Sequence, residues 1–334
     1  MRTTVKSKSV LILLFCIAAV LNSCRSAPLP EKQEQELFVG NVTFKMILMP
    51  AMDFPGGPTG TVGLPENRPD IISIKNDYWL AETNTTYELW KTVCDWAVEN
   101  GYEFDRPGQM GTEPDGPEMN DQHPVTIVDW ISAAVWCNAL TEFYNIENKT
   151  QLKQVYIHDG EVLRLPVPRK NEYSIVSDPD ADGFRLPTGF EWEMAARYSD
   201  EAEDDTYTEY PENSGRWWAA FLSVSGEPEY KEDKGEKGGN VEYGRVVSRP
   251  VLELDRNDLG FTGFAGKDGK LWQWCYEFLL FRENYGDSFH LKRGGSRAPR
   301  CGRHEYWPRN REPRDNETCN GYDQVTFRVA RNAG

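Results

Sequence analysis

Three stretches of the chain combine an apolar repeat of about 3.6 residues with a residue type that starts helices, and they predict three helices. The first begins after Thr85, where Glu88 completes a capping box with the threonine. The second begins after Asp129, and the third begins after Thr188 with a second capping box closed by Glu191. The apolar face of the first helix consists of Leu89, Val93, Trp96 and Ala97. That of the second consists of Ala133, Ala134, Cys137 and Leu140, and that of the third consists of Trp192, Ala195 and Ala196.

Short apolar runs bounded by Gly and Pro predict strands before the first two helices. They cover residues 42–50, 71–79 and 124–130, and polar insertions follow at about residues 145–182 and 200–249. Two more short runs frame the C-terminal segment, residues 293–331. The pattern as a whole predicts an α+β chain with much irregular structure.

The first residues predict an export signal with a lipid anchor. A positively charged start precedes an apolar run, Val10 to Val20, which is too short to span a bilayer. Leu21-Asn22-Ser23-Cys24 follows and is typical of a bacterial lipoprotein box, in which Cys24 becomes the N-terminus and carries acyl chains such as palmitate. A plain cleaved signal is the alternative, and the cysteine at this spacing favours the lipoprotein.

These features divide the chain into three predicted parts. Residues 1–23 form a lipoprotein signal peptide, residues 24–38 a polar tether, and residues 39–334 one domain. Arg25 follows the lipidated cysteine, and this residue favours the outer membrane over the inner membrane. We therefore expect lipid-anchored display on the bacterial cell surface.

Charge and cysteine usage exclude several classes of function. Removal of the signal leaves 34 Lys and Arg against 53 acidic residues, a net charge of −19, which disfavours nucleic acid as a partner. Five cysteines remain after signal removal and lipidation, and none forms a CxxC pair. Neither a disulfide framework nor a zinc site is indicated, and we predict no metal.

The C-terminal segment, residues 293–331, has no hydrophobic period between its framing strands. It opens with Arg293-Gly294-Gly295-Ser296 and closes with Phe327-Arg328. The residues between are rich in Arg, Tyr, Trp and His, which offer large contact areas and directed hydrogen bonds. The composition alone leaves two interpretations open: a binding surface, or an irregular solvated segment.

Five blocks in this order resemble the formylglycine-generating-enzyme, or sulfatase-modifying-factor, family. They are Pro124 to Leu140, Arg185 to Glu193, Gly269 to Cys275, Arg293 to Ser296, and Phe327-Arg328. The resemblance implies a C-type lectin fold of the formylglycine-generating-enzyme type, with two main helices around small antiparallel sheets.

The departures from this family predict that the chain is not an enzyme and holds no cofactor. Oxidase members bind copper through two tail cysteines, where this chain has Pro299 and His304. Calcium ligands of the family are replaced by Lys270 and Gln273, and an ammonium repels the ion. We infer that Lys270 stands in for calcium, with an exposed loop lysine as the alternative.

One branch of the family, the variable lipoproteins that retroelements diversify, including those of treponemes, is similar in its leader, its first helix and its tail. In that branch, scrambled adenines change codons between an Arg-Gly-Gly-Ser strand and a Phe-Arg-Val end. The resemblance implies a surface-displayed, sequence-variable ligand-binding protein whose variable region lies at about residues 293–331. The predicted binding residues are Arg297, Ala298, Pro299, Arg300, Cys301, Arg303, His304, Tyr306, Trp307, Arg309, Arg311, Gly321, Tyr322 and Asp323.

Two other functions stay open on the sequence. An oxidase or related enzyme of the parent family would draw on His290, His304 and Cys301. A fixed structural lipoprotein would fold its tail back onto the acidic body. For the binding protein we expect a monomer that touches the membrane only through its lipid, with an unknown variable ligand, a protein or glycan on another cell or surface.

Overall fold

A computed structural model of the protein describes residues 32–55, 71–112, 119–168, 171, 174–178, 180–197, 248–254, 256–257, 259–264, 271–280, 288–294 and 325–334. The α-helices are α1 (Tyr87–Glu99), α2 (Trp130–Asn148) and α3 (Gly189–Arg197), and a 3-10 turn spans Val251–Glu253. The strands are β1 (Glu34–Val39), β2 (Val42–Met49), β3 (Asp53–Pro55), β4 (Ile71–Ser73), β5 (Tyr78–Ala81), β6 (Gln109–Met110), β7 (Val125–Thr126), β8 (Tyr156–His158), β9 (Glu161–Val162), β10 (Ile175–Ser177), β11 (Trp272–Leu280), β12 (Ser288–Gly294), β13 (Val325–Thr326) and β14 (Ala330–Asn332).

The largest sheet joins the beginning and the end of the described body. Its strands run antiparallel in the order β1-β2-β5-β14. Strand β1 begins inside the stretch 24–38 that the sequence assigned to a tether. Leu37 and Val39 are buried there while Phe38 between them is exposed, the alternation of a half-buried strand. The folded body therefore begins by Glu34.

The two longer helices pack through stacked aromatic rings. Trp90 of α1 lies parallel to Trp136 of α2, with ring centroids 5.7 Å apart, and Trp96 stacks on Phe143 at 4.8 Å. Helix α2 is buried on every side from Trp130 to Thr141, which is broader than the single apolar face that its sequence pattern predicts. No helix in the described ranges is long and apolar enough to cross a membrane.

The helix starts confirm two of the three predicted caps. Asp129 accepts a hydrogen bond from the Ser132 amide at 2.8 Å, so it caps α2. Thr188 and Glu191 form the reciprocal pair at α3, at 2.7 and 3.1 Å.

The prediction of Thr85 as the cap of α1 is wrong. Thr86 is the cap, and its hydroxyl accepts from the Leu89 amide at 3.1 Å. Thr85 is instead held in extended backbone, where its amide donates to the Phe327 carbonyl and its carbonyl accepts from the Val125 amide. These tertiary hydrogen bonds move the helix start by one residue.

A second sheet carries the frame of the C-terminal segment. It has three strands in the order β12-β11-β13, and β13 pairs with β11 in parallel while β12 pairs with it antiparallel. The described sheets are antiparallel as expected, with the pair β11 and β13 as a parallel exception. The fold is a mixed α+β arrangement of three helices and small sheets.

Candidate functional site

The chain leaves and re-enters one sheet around residues 295–324. Gly294, the last residue of β12, and Val325, the first residue of β13, are both register partners of Trp272 on β11. Neighbouring strands lie about 4.8 Å apart, so the two ends of this span are separated by about 10 Å. The span therefore begins and ends on opposite sides of the central strand β11, at the same level of the sheet.

The return of the chain is anchored in the aromatic core by Phe327. Its fully buried ring meets Trp90 and Trp136 edge-on, with centroid distances of 5.8 and 5.3 Å. Edge-to-face aromatic pairs contribute about 0.5–1.5 kcal/mol each beyond the area that they bury. Phe327 thus ties the strand after residues 295–324 to both long helices.

Arg328, the next residue, is fully buried, and its side chain is surrounded by hydrogen-bond acceptors. Its guanidinium donates to the side-chain oxygen of Gln273 at 2.7 Å and to the side-chain oxygen of Asn84 at 3.1 Å. Three carbonyls complete the set, those of Ala81 at 3.2 Å, Glu82 at 3.4 Å and Thr262 at 2.7 Å. All five N–H donors of the guanidinium are therefore used.

The charge on Arg328 is solvated by neutral groups. Among the residues that the structure describes, no carboxylate forms an ion pair with the Arg328 guanidinium. The carboxylate of Glu82, whose carbonyl binds Arg328, pairs with Arg256 instead. The guanidinium carbon lies 3.7 Å from the centre of the Phe264 ring, a cation–π contact. Burial lowers the pKa of Arg328 to about 9, which leaves the group charged at neutral pH.

Gln273 connects Arg328 to helix α3. Its side-chain oxygen accepts from Arg328 and from the Trp192 indole at 2.9 Å, and its amide nitrogen donates to the Gly263 carbonyl at 2.8 Å. Gly263 has a φ of +74°, and a Cβ there would lie 2.9 Å from the Asn84 amide nitrogen. A side chain at position 263 would therefore press on the residue that binds Arg328.

These contacts do not fit calcium at Gln273. The ion needs free oxygen ligands, whereas the one side-chain oxygen of Gln273 already accepts two hydrogen bonds, one of them from a cation. Within the described ranges, no three His, Cys, Asp or Glu side chains form a cluster that could hold a metal ion. Lys270, the other departure from the family's calcium block, lies outside the described residues.

All fourteen predicted binding residues, between Arg297 and Asp323, lie outside the described residues, and so does Cys24. Their roles stay predictions. His290, a candidate of the oxidase interpretation, lies on β12, while His304 and Cys301 belong to the span that the structure leaves undescribed. The structure thus describes the frame on both sides of the predicted site.

The sequence interpretation did not assign a role to Arg328 or Asn84. Phe327-Arg328 was a visible signal, because an arginine beside buried apolar residues needs partners. Asn84 offered no such signal, since its contact with Arg328 joins residues 244 positions apart.

Comparison with known proteins places this architecture in a family. The chain matches the sulfatase-modifying factor enzyme 1-like domain over residues 40–333. A protein of Paenibacillus barcinonensis, Chaperone protein LppX, is 25% identical over 227 residues, which cover 66% of this chain and 69% of that protein.

Two solved structures share the fold. The crystal structure of CarF is similar with a TM-score of 0.55 and 22% identity, covering 86% of this chain and 98% of CarF. Treponema denticola variable protein 1 is similar with a TM-score of 0.51 and 24% identity, covering 91% of this chain and all of that chain. The resemblance inferred from the sequence blocks is thereby confirmed. The chain belongs to the sulfatase-modifying factor enzyme 1-like domain family.

Proposed function

We propose that this protein is a surface-displayed ligand-binding protein whose binding side chains lie between Gly294 and Val325 and vary in sequence. The observation that carries the proposal is the register of β11, in which Trp272 pairs with both of these residues. The ends of the span are held by backbone pairing, and the return is held by Phe327 and Arg328. Side chains within the span are therefore not needed to keep its ends in place.

The side chains at positions 297–323 suit recognition of a protein or a glycan on another cell or surface. Arg offers a planar fork of donors, and Tyr and Trp offer large, stiff contact areas. The ligand then differs between sequence variants while the frame stays the same. The proposed fold class is the C-type lectin fold, and the proposed anchor is a lipid on Cys24 in the outer membrane.

An oxidase activity is not part of this proposal. Pro299 and His304 occupy the positions of the two cysteines that oxidase members of the family use. Gln273 has its polar atoms committed to Trp192, Arg328 and Gly263. A protein that binds a ligand without converting it needs neither the two cysteines nor a free Gln273 side chain.

Deep sequencing of the 3′ end of this gene in a grown population tests the variable character of the site. We expect substitutions confined to the codons between Ser296 and Phe327, each traceable to an adenine in a nearby template repeat. Codons 124–140, which encode the buried helix α2 and its approach, serve as the internal control and stay constant. A uniform 3′ end with no template copy would refute diversification.

A transplant experiment tests binding itself. Residues 297–323 are exchanged between two natural variants, and each chimaera is assayed against the ligand of each parent. We expect binding to follow the transplanted residues and the melting temperature to stay close to that of the recipient. Binding that follows the recipient body would place the site elsewhere.

A second candidate function is that of a protein-binding chaperone, favoured by the similarity to Chaperone protein LppX. It shares the binding role but requires a constant tail, because a chaperone keeps its client class. The sequencing experiment therefore separates the two candidates.

A further inference from the structure

Three buried threonines near Arg328 carry hydroxyls that make no hydrogen bond within the described part of the chain. They are Thr85, Thr262 and Thr326, and each is at most 3% exposed. A buried hydroxyl without a partner costs free energy, and such groups are rare in folded proteins. Three of them in one region therefore indicate a bound group that accepts their protons.

Two of these threonines belong to segments that bind the Arg328 guanidinium. The Thr262 carbonyl accepts from it at 2.7 Å. Thr85 follows Asn84, whose side-chain oxygen accepts from the guanidinium at 3.1 Å. The Thr85 amide also donates to the carbonyl of Phe327, the residue before Arg328, at 2.8 Å. Both threonines thus lie beside the arginine.

The strand pairing brings Thr326 to the same place. Thr326 on β13 is the register partner of Gln273 on β11, and register partners project to the same face of a sheet. The side-chain oxygen of Gln273 accepts from Arg328 at 2.7 Å. Thr326 therefore lies on the face of the sheet that meets the guanidinium.

The side chain of Asn84 adds a fourth source of donors. Its oxygen accepts from Arg328, whereas its amide nitrogen donates to no group in the described ranges. A Cβ at Gly263 would lie 2.9 Å from this nitrogen and 3.5 Å from a guanidinium nitrogen of Arg328. Backbone without a side chain therefore faces both nitrogens, and the four donor residues surround one cation.

The charge of Arg328 determines which kind of group these donors suit. Its five hydrogen bonds go to neutral acceptors, which leave the net charge of the buried guanidinium uncompensated. The nearby carboxylate of Glu82 is neutralised by Arg256. A metal cation would be repelled here, whereas an anion is attracted by the guanidinium and can accept from hydroxyl and amide donors.

We propose that a chloride ion binds beside Arg328, held by the hydroxyls of Thr85, Thr262 and Thr326 and by the Asn84 amide. All four residues are at most 3% exposed, and such an enclosed site suits a monatomic anion better than phosphate or a carboxylate. The ion neutralises the arginine that holds the strand after residues 295–324, and it supplies the acceptor that the three hydroxyls need.

Thermal unfolding of the full chain in sodium chloride and in sodium gluconate, at equal ionic strength, tests this site. Gluconate is too large for the enclosed site. We expect the melting temperature to rise with chloride and to saturate, by about 2–4 °C when chloride is at about ten times its dissociation constant. The same melting temperature at every ratio of the two salts overturns the proposal.

Thr326→Val removes one of the hydroxyls and keeps the shape of the side chain. We expect chloride affinity to fall about tenfold or more, because a hydrogen bond to an ion is lost. In gluconate the variant should be at least as stable as the unmodified chain, because a buried hydroxyl without a partner has been removed. An equal loss of stability in both salts overturns the proposal, since the hydroxyl then serves a water molecule or a protein group.

Thr141→Val is the matched control. Thr141 is also fully buried, but its hydroxyl donates to the Cys137 carbonyl and accepts from the Phe184 amide, both at 2.9 Å. This variant should lose stability equally in both salts and keep the chloride effect. Loss of the chloride effect in the control would show that the effect does not depend on the site beside Arg328, and it would overturn the assignment.

Crystals soaked in sodium bromide locate the ion directly, because bromide replaces chloride and scatters anomalously. We expect an anomalous peak within hydrogen-bond distance of the hydroxyls of Thr85, Thr262 and Thr326. Bromide found at surface positions alone overturns the proposal.

Discussion

Arg328→Lys is the substitution that most directly tests how the strand after the variable span is held. The guanidinium makes five hydrogen bonds to buried acceptors, whereas an ammonium has three donors. At least two acceptors are therefore left without this partner. Gln273 keeps Trp192 as a donor and the Glu82 carbonyl keeps the Thr262 amide. A buried acceptor left without any donor costs about 1–3 kcal/mol, so the free energy of unfolding should fall by at least about 1–3 kcal/mol.

Arg164→Lys is the matched control for this substitution. Arg164 also lies over an aromatic ring, 4.5 Å from the centre of Tyr102, and it pairs with Glu142. Its side chain is 37% exposed, so water replaces any contact that lysine cannot make. We expect a loss below about 1 kcal/mol.

Urea denaturation of both variants measures the difference. The midpoint should fall much further for Arg328→Lys than for Arg164→Lys, with the slope m unchanged, because the loss is one of stability and not of compactness. Equal midpoints would refute the inference that the five donors of Arg328 hold the return strand.

Three further outcomes follow from the described contacts. Gly263→Ala should lower the free energy of unfolding by about 1–3 kcal/mol in a urea titration. The loss should exceed that of Gly101→Ala, because both glycines have a positive φ but, of the two, only Gly263 has neighbours that a Cβ would crowd. Asp129→Ala should cost about 1 kcal/mol in the same assay through loss of the α2 cap, and an unchanged midpoint would contradict that role. Burial raises the pKa of the Cys137 thiol, so a thiol reagent should modify it only after unfolding, and rapid native-state labelling would contradict its burial.

The helix starts show how far local chemistry can be read from the sequence. Asp129 and the pair Thr188 and Glu191 cap their helices as predicted, because a cap joins residues three positions apart. Thr85 and Thr86 are both residue types that begin helices, and Glu88, three residues after Thr85, favoured Thr85 in the sequence. The choice is made by Thr85, whose backbone bonds Phe327 and Val125 from distant parts of the chain.

The fold class was predicted in outline, and the parallel pair β11 and β13 was not. Ordered sequence blocks identify a family because several of them occur in the same order along the chain. The pairing of Trp272 with both Gly294 and Val325 cannot be predicted from any of those blocks. It depends on which strands meet after the helices have packed.

By itself, the sequence determined the family, two of the three helix starts and the position of the predicted binding residues between Arg-Gly-Gly-Ser and Phe-Arg. The tertiary structure alone decided that Gly294 and Val325 flank Trp272 on either side of β11, and that Arg328 is solvated by neutral groups. The physical reason is the range of the contacts. Caps act over one turn of chain, whereas the contact between Arg328 and the Ala81 carbonyl joins residues 247 positions apart, and only packing brings them together.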